Sequence, residues 1–160
     1  MSEDLKIAGG SKTEQYATLL PQIRALMEGE TDGTANLANM AAALKEQFDW
    51  LWVGFYLVKN DELVVGPFQG PVACTRIRKG RGVCGTSWAE AKTLIVPDVT
   101  VFPGHISCSS LSRSEIVVPL RAGEKIVGVL DVDSTGLNAF DEEDARWLGE
   151  LVTLIPGIND

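Results

Sequence analysis

The sequence predicts an α+β domain on a central antiparallel sheet, with the N- and C-terminal helices packed on one face and a ligand pocket on the other. Three observations carry this. Two amphipathic helical stretches precede any strand, the strands that follow are joined into hairpins, and a well-capped helix closes the chain.

In the first helical stretch, Thr13 to Met27, residues Tyr16, Leu19, Leu20, Ile23, Leu26 and Met27 recur at spacings of three and four, with Thr13 as the expected N-cap. Asp32 opens a second, with Leu37, Met40, Ala41 and Leu44 on one stripe ending near Phe48. Residues 50 to 59, rich in aromatic and β-branched side chains, read as a strand; Asn60-Asp61 turns into a second strand over Glu62 to Val65. Gly66 to Gly70, with Pro67, is expected to turn. Val72 to Ile77 then gives a third strand, and Val83 to Ala91 a short helix after the Gly80 and Gly82 loop. Thr93 to Val96 forms a short strand, and residues 100 to 113 a long polar loop of the kind that usually carries function. Ser114 to Leu120 and Lys125 to Asp133 make another hairpin. Asp141 caps the last helix, which runs to Ile155 with Glu142, Glu143 and Asp144 favoured by the dipole at its start.

The 160 residues, 45% hydrophobic, suffice for one core, and no linker or repeat divides them. The chain therefore reads as one domain over residues 1–160, with helices in 13–48, sheet and pocket in 50–134 and the closing helix in 141–155. Lys and Arg number 14 against 22 Asp and Glu, a formal charge of -8 that argues against nucleic acid or an anionic membrane as partner. No secretory signal and no run of roughly 18 apolar residues is present. A cytoplasmic chain with its 3 cysteines as free thiols is the expectation.

Strand alternation places Val127, Val129, Asp131 and Asp133 on one face, and Glu115 sits early in the neighbouring strand of the same hairpin. Three acids around one pocket need a cation, donors or a proton, because close carboxylates cannot all stay ionised cheaply. Asp131 and Asp133 could instead have left the core to cap the turn at 134–136. In the first strand Trp50, Trp52, Gly54 and Tyr56 share a face, opposite Leu51, Val53, Phe55 and Leu57. Such aromatics are usually core; beside carboxylates they form the wall of a small-molecule pocket.

Cys74 lies in the third strand and reads as a small buried hydrophobe. Cys84, at a helix start, and Cys108, in the polar loop, have settings that favour reactive thiols. His105 and Cys108 also form an H-x-x-C pair that could join Cys74 and Cys84 as four metal ligands, although no C-x-x-C supports it and His105 fits better as a loop or pocket residue.

The motifs W-V-G-F-Y, A-C-T-R-I at Ala73 to Ile77, G-R-G-V-C-G-T at Gly80 to Thr86, H-I-S-C at His105 to Cys108, S-E-I-V-V-P at Ser114 to Pro119 and G-V-L-D-V-D-S at Gly128 to Ser134 together resemble the free methionine-(R)-sulfoxide reductases, a GAF-domain family. The resemblance covers nearly the whole chain. It implies Cys108 as nucleophile, with Cys84 and Cys74 resolving its oxidised form in an order left open. It also implies Glu115, Asp131 and Asp133 around the substrate's polar groups, with Trp52 and nearby Tyr56 receiving its methyl end. A carboxylic acid such as Glu115 or Asp133 would assist the departing oxygen. The implied cycle runs through a Cys108 sulfenic acid and a disulfide that thioredoxin reduces, with no metal or organic cofactor, and the family allows a homodimer. The competing reading is a GAF module that senses a small molecule without reacting with it; a chain with no attached output domain and three thiols weighs against that.

Overall fold

The structure, a computed structural model, describes residues 4–105, 108–156 and 158. Ile106 and Ser107 of the H-I-S-C motif, and the extreme ends of the expected domain, lie outside the described residues. Helices α1 (Lys12–Met27) and α2 (Gly33–Phe48) precede strands β1 (Trp52–Lys59), β2 (Glu62–Gln69) and β3 (Arg76–Arg78). Helix α3 (Gly82–Glu90), strand β4 (Leu94–Val96), a 3-10 turn (Val99–Val101), strands β5 (Ser114–Ala122) and β6 (Lys125–Ser134) and helix α4 (Glu142–Val152) follow. The six strands form one antiparallel sheet in the order β3-β2-β1-β6-β5-β4.

Each face of this sheet buries its own apolar cluster. Residues from α1, α2 and α4 pack with Val53, Phe55, Ile116, Val118, Leu130 and Val132. The opposite cluster joins Trp52, Tyr56, Val117 and Val129 to Val83, Cys84 and Trp88 of α3. This is the predicted arrangement, helices from both ends of the chain on one face and the pocket on the other.

The helix starts show how local chemistry sets boundaries. Ser11, not Thr13, caps α1: its side chain accepts from the Glu14 backbone while Glu14 reaches back, a reciprocal capping box. A cap at Thr13 would need its acid at position 16, which is Tyr16. The Thr13 hydroxyl instead bonds Glu143 of α4. Asp32 and Asp141 cap α2 and α4 as expected. The fully buried Tyr16 hydroxyl donates to Asp144 Oδ1 at 2.6 Å, and Lys12 pairs with the other oxygen of that carboxylate. Burial first, then the Asp144 charge, raises the Tyr16 pKa.

Four expectations about strands are corrected. Strand β1 starts at Trp52, because Asp49 ends α2 in a left-handed conformation (φ 52°) and the next two residues are not extended. Trp50 therefore stacks on Phe48 at 4.4 Å on the helix face, while Leu51 lines the pocket. Strand β2 continues through Pro67 to Gln69 instead of turning at Gly66, since β3 pairs only with its Glu62–Val64 end and the missing N–H of Pro67 costs no ladder bond there. Strand β3 begins only at Arg76, so Cys74 precedes it: Trp52 Nε1 donates to the Pro71 carbonyl (3.1 Å) and the Tyr56 hydroxyl to that of Cys74 (2.9 Å), drawing residues 71–74 over the pocket. Finally, a register shift at Leu120/Arg121 places Ile126 on the pocket face and Val127 on the helix face.

Gly54, between Trp52 and Tyr56 on the pocket face, cannot carry a side chain, because a Cβ there would lie 2.3 Å from Cβ of Phe68.

The Tyr16–Asp144–Lys12 group ties the first helix to the last. Asp144→Ala should cost about 3 kcal/mol by leaving the buried Tyr16 hydroxyl and the Asp141 N–H without their acceptor and removing one of the two carboxylates that pair with Lys12, and Tyr16→Phe about 1 kcal/mol. Urea unfolding of both variants measures this, and a loss below about 1 kcal/mol for Asp144→Ala would show that water replaces the carboxylate.

Candidate active site

The ladder between β5, β6 and β1 assembles the acids. Glu115 lies opposite Asp133, and Asp133 in turn lies opposite Trp52 on its other side. Asp131, two residues back on the same face, is paired with Val117 and Gly54. All three carboxyls therefore project into one cleft, which encloses roughly 600 Å³ with its open mouth included. Glu115 and Asp131 are both 6% exposed. Asp131 is thus not a solvated cap of the turn at 134–136, and Asp133, half-buried, lines the same cleft.

Trp52 and Tyr56 form one wall, their rings 5.9 Å apart, and Phe68 stacks behind Trp52 at 5.1 Å. Trp50, expected on the same face, is absent from it. Phe68 was hidden by the turn expected at Gly66 to Gly70. Ser112, from the polar loop, donates to Asp133 Oδ1 at 3.1 Å; one serine among several in that loop carries no distinguishing sequence signal. His105 lines the cleft with its Nδ1 buried and unpartnered, and burial lowers its pKa against a smaller opposing pull from Asp131.

The thiols divide differently from the sequence expectation. Cys74 and Cys108 form a disulfide with their Cα atoms 5.5 Å apart, so two of the expected free thiols are joined. Cys108 is exposed at the mouth of the cleft and Cys74 is half-buried, not a core hydrophobe. Cys84 is free and buried. It occupies the first turn of α3, yet its pKa is pushed well above the ordinary thiol value, by burial first and then by Asp131, Glu115 and Asp133. The activating effect of a helix start is reversed by burial first and then by the acids the helix faces. The disulfide also rules out the four-ligand set of His105 with three thiolates. Among the described residues, Cys84, Glu115 and Asp131 can instead converge on one ion.

Burial raises all three carboxyl pKa values. Glu115 and Asp133 rise well above the usual range, burial first and then the Asp131 charge. Asp131 rises through burial, and its neighbours Glu115, Cys84 and Asp133 oppose that rise. An apolar aromatic wall, a floor of buried carboxyls with raised pKa values and a sulfur pair at the mouth make a site for a small polar molecule.

This fold and pocket define a GAF domain, and the GAF domain family matches residues 35–155. A Dictyostelium discoideum protein described as GAF domain-containing protein A is 65% identical over 156 residues, covering 97% of this chain and 99% of its own. The free methionine-R-sulfoxide reductase of Escherichia coli K12 is 52% identical over 143 residues, covering 89% of this chain and 87% of its own. The solved structure of the Neisseria meningitidis free methionine-R-sulfoxide reductase, in complex with its substrate, is 54% identical; it superposes with a TM-score of 0.95 over 99% of this chain and 96% of that one. The chain belongs to the free methionine-R-sulfoxide reductase family.

The raised carboxyl pKa values make a stability prediction. In the folded chain these groups keep protons that the unfolded chain releases near pH 4, so their contribution is fully present below about pH 4 and is lost as pH rises toward the folded values. Glu115→Gln should therefore gain stability over the parent at about pH 8 and show little difference at about pH 4. Urea midpoints at both pH values measure this; an equal difference at the two would place Glu115 in contact with solvent.

Proposed function

We propose that this chain reduces free methionine (R)-sulfoxide to methionine with Cys108 as nucleophile. The observation that supports this most directly is the Cys74–Cys108 disulfide at the mouth of a cleft floored by buried carboxyls whose pKa values are raised. The substrate and its epimer come from the family relatives.

The Cys108 thiolate attacks the sulfoxide sulfur while Glu115 or Asp133, protonated at rest, hydrogen-bonds and protonates the oxygen. The oxygen passes to Cys108, the S–O bond to methionine breaks, methionine leaves with two electrons gained and Cys108 becomes a sulfenic acid. Cys74 then attacks that sulfenic sulfur, water departs and the disulfide forms. An external dithiol, thioredoxin in this reading, restores both thiols by exchange. Dependence on such a reductant supports a cytoplasmic setting, and no helix among the described residues is long and apolar enough to cross a membrane.

Trp52 and Tyr56 offer an apolar surface to the methyl end of the substrate, and the Asp131 carboxylate offers charge complementarity to its ammonium. A polypeptide methionine sulfoxide has no such ammonium, which accounts for selection of the free amino acid. Cys74 resolves in this scheme; Cys84, buried with its proton held, is a weak nucleophile and supports the acid cluster. A non-catalytic sensor would have no use for a sulfur pair at the mouth of its pocket.

Cys108→Ser should abolish methionine release in a single turnover, whereas Cys74→Ser should release one equivalent and then stall even with dithiol present. Mass spectrometry of the stalled protein should find Cys108 oxidised. One equivalent from Cys108→Ser would overturn the assignment of the nucleophile. Glu115→Gln and Asp133→Asn should lower kcat by about 10² to 10⁴ with the fold retained, and wild-type rates in both would remove the carboxyls from the reaction.

A further inference from the structure

We propose that Cys84, Glu115 and Asp131 form a binding site for one borderline divalent cation, Zn²⁺ above the harder ions, so that the floor of the cleft holds either metal or substrate. The Cys84 Sγ and one oxygen from each carboxyl lie within 4.8 Å of one another, all three residues being buried. Tetrahedral zinc, with bonds of about 2.0 to 2.3 Å to sulfur and oxygen, spaces its ligands about 3.5 Å apart. Side-chain torsions cover the difference.

A second observation points to a ligand here. Asp131 lines the cleft and is 6% exposed, and its buried Oδ1 meets no hydrogen-bond donor of the protein. A buried carboxylate oxygen without a partner is costly, and a cation satisfies it directly. The donor set chooses the ion. One thiolate with two carboxylates suits zinc, whereas magnesium and calcium prefer oxygen alone and more of it. Three protein ligands leave the fourth vertex to water. Neither Cys74 nor Cys108 takes part, since both sulfurs are bound to each other.

The consequence for substrate rests on the reductase reading: zinc on Glu115 and Asp131 would occupy the groups proposed to meet the sulfoxide, so metal and free methionine sulfoxide should exclude each other. The binding of the ion itself does not rest on that reading.

The test uses the full chain with its disulfide intact, so that Cys84 is the sole thiol, and Co²⁺ as probe. One Co²⁺ per chain should bind with a thiolate-to-metal charge-transfer band, and Zn²⁺ should displace it. Cys84→Ser should lose the band and weaken Zn²⁺ binding by about 100-fold, and Asp131→Asn, which keeps the thiol, should weaken it by at least about 10-fold with an unchanged circular dichroism spectrum. Absence of stoichiometric binding, or affinity unaltered in Asp131→Asn, would overturn the site. Free methionine sulfoxide should bleach the Co²⁺ band of the parent protein. Persistence of the band beside a positive Asp131→Asn result would sink the proposed overlap with substrate and leave the metal site standing.

Discussion

Three carboxyls on the inner face of a sheet that is covered on both sides meet a buried thiol from α3, and everything about the pocket follows from the cost of keeping them there. Ionised together in that environment they would be ruinous. Burial raises the pKa of every member, and the Asp131 charge raises those of Cys84, Glu115 and Asp133 further. The cluster therefore favours holding protons, and a ligand that reaches it meets groups inclined to donate them.

The opposite face of the sheet allows this arrangement. Leu130 and Val132, the neighbours of Asp131 and Asp133 along β6, are fully buried against the terminal helices, as are Ile116 beside Glu115 and Val53 beside Trp52. A one-residue slip of β6 would send two acids into that apolar cluster and two aliphatic side chains into the pocket, so the register that creates the site is enforced by the layer that does no chemistry. The Tyr16–Asp144–Lys12 contacts hold this layer together by fastening the first helix to the last.

Elements whose cause is local were legible in the sequence: the aspartate caps of α2 and α4, the β5–β6 hairpin, and the alternation that placed Asp131 and Asp133 on one face with Glu115 beside them. What escaped depends on partners distant in sequence. Pro67 looks like a turn until one knows that β3 stops short of it. Cys74 looks like a strand residue until the Tyr56 hydroxyl is seen holding its carbonyl. Trp50 alternates correctly on paper, but the left-handed Asp49 shifts the phase before the strand begins. The thiols are the clearest case. A helix start reads as an activator of Cys84, and nothing nearby in sequence announces the burial and the three acids across the cleft that reverse it.

The same contrast separates the thiols by task. Sheet and α3 carry the groups whose positions need not change during a cycle of oxidation: the acids, the aromatic wall and Cys84. Cys74 and Cys108 instead sit on irregular segments, one pinned over the pocket by Trp52 and Tyr56, the other exposed in the polar loop. In the proposed cycle a sulfur meets substrate, then a second thiol, then an external dithiol, and a residue locked in a ladder of backbone bonds cannot exchange partners in that way without breaking them. The pocket can then keep its shape while the bond at its mouth opens and closes. Cys84, within reach of the acids and out of reach of solvent, takes no part in that bond.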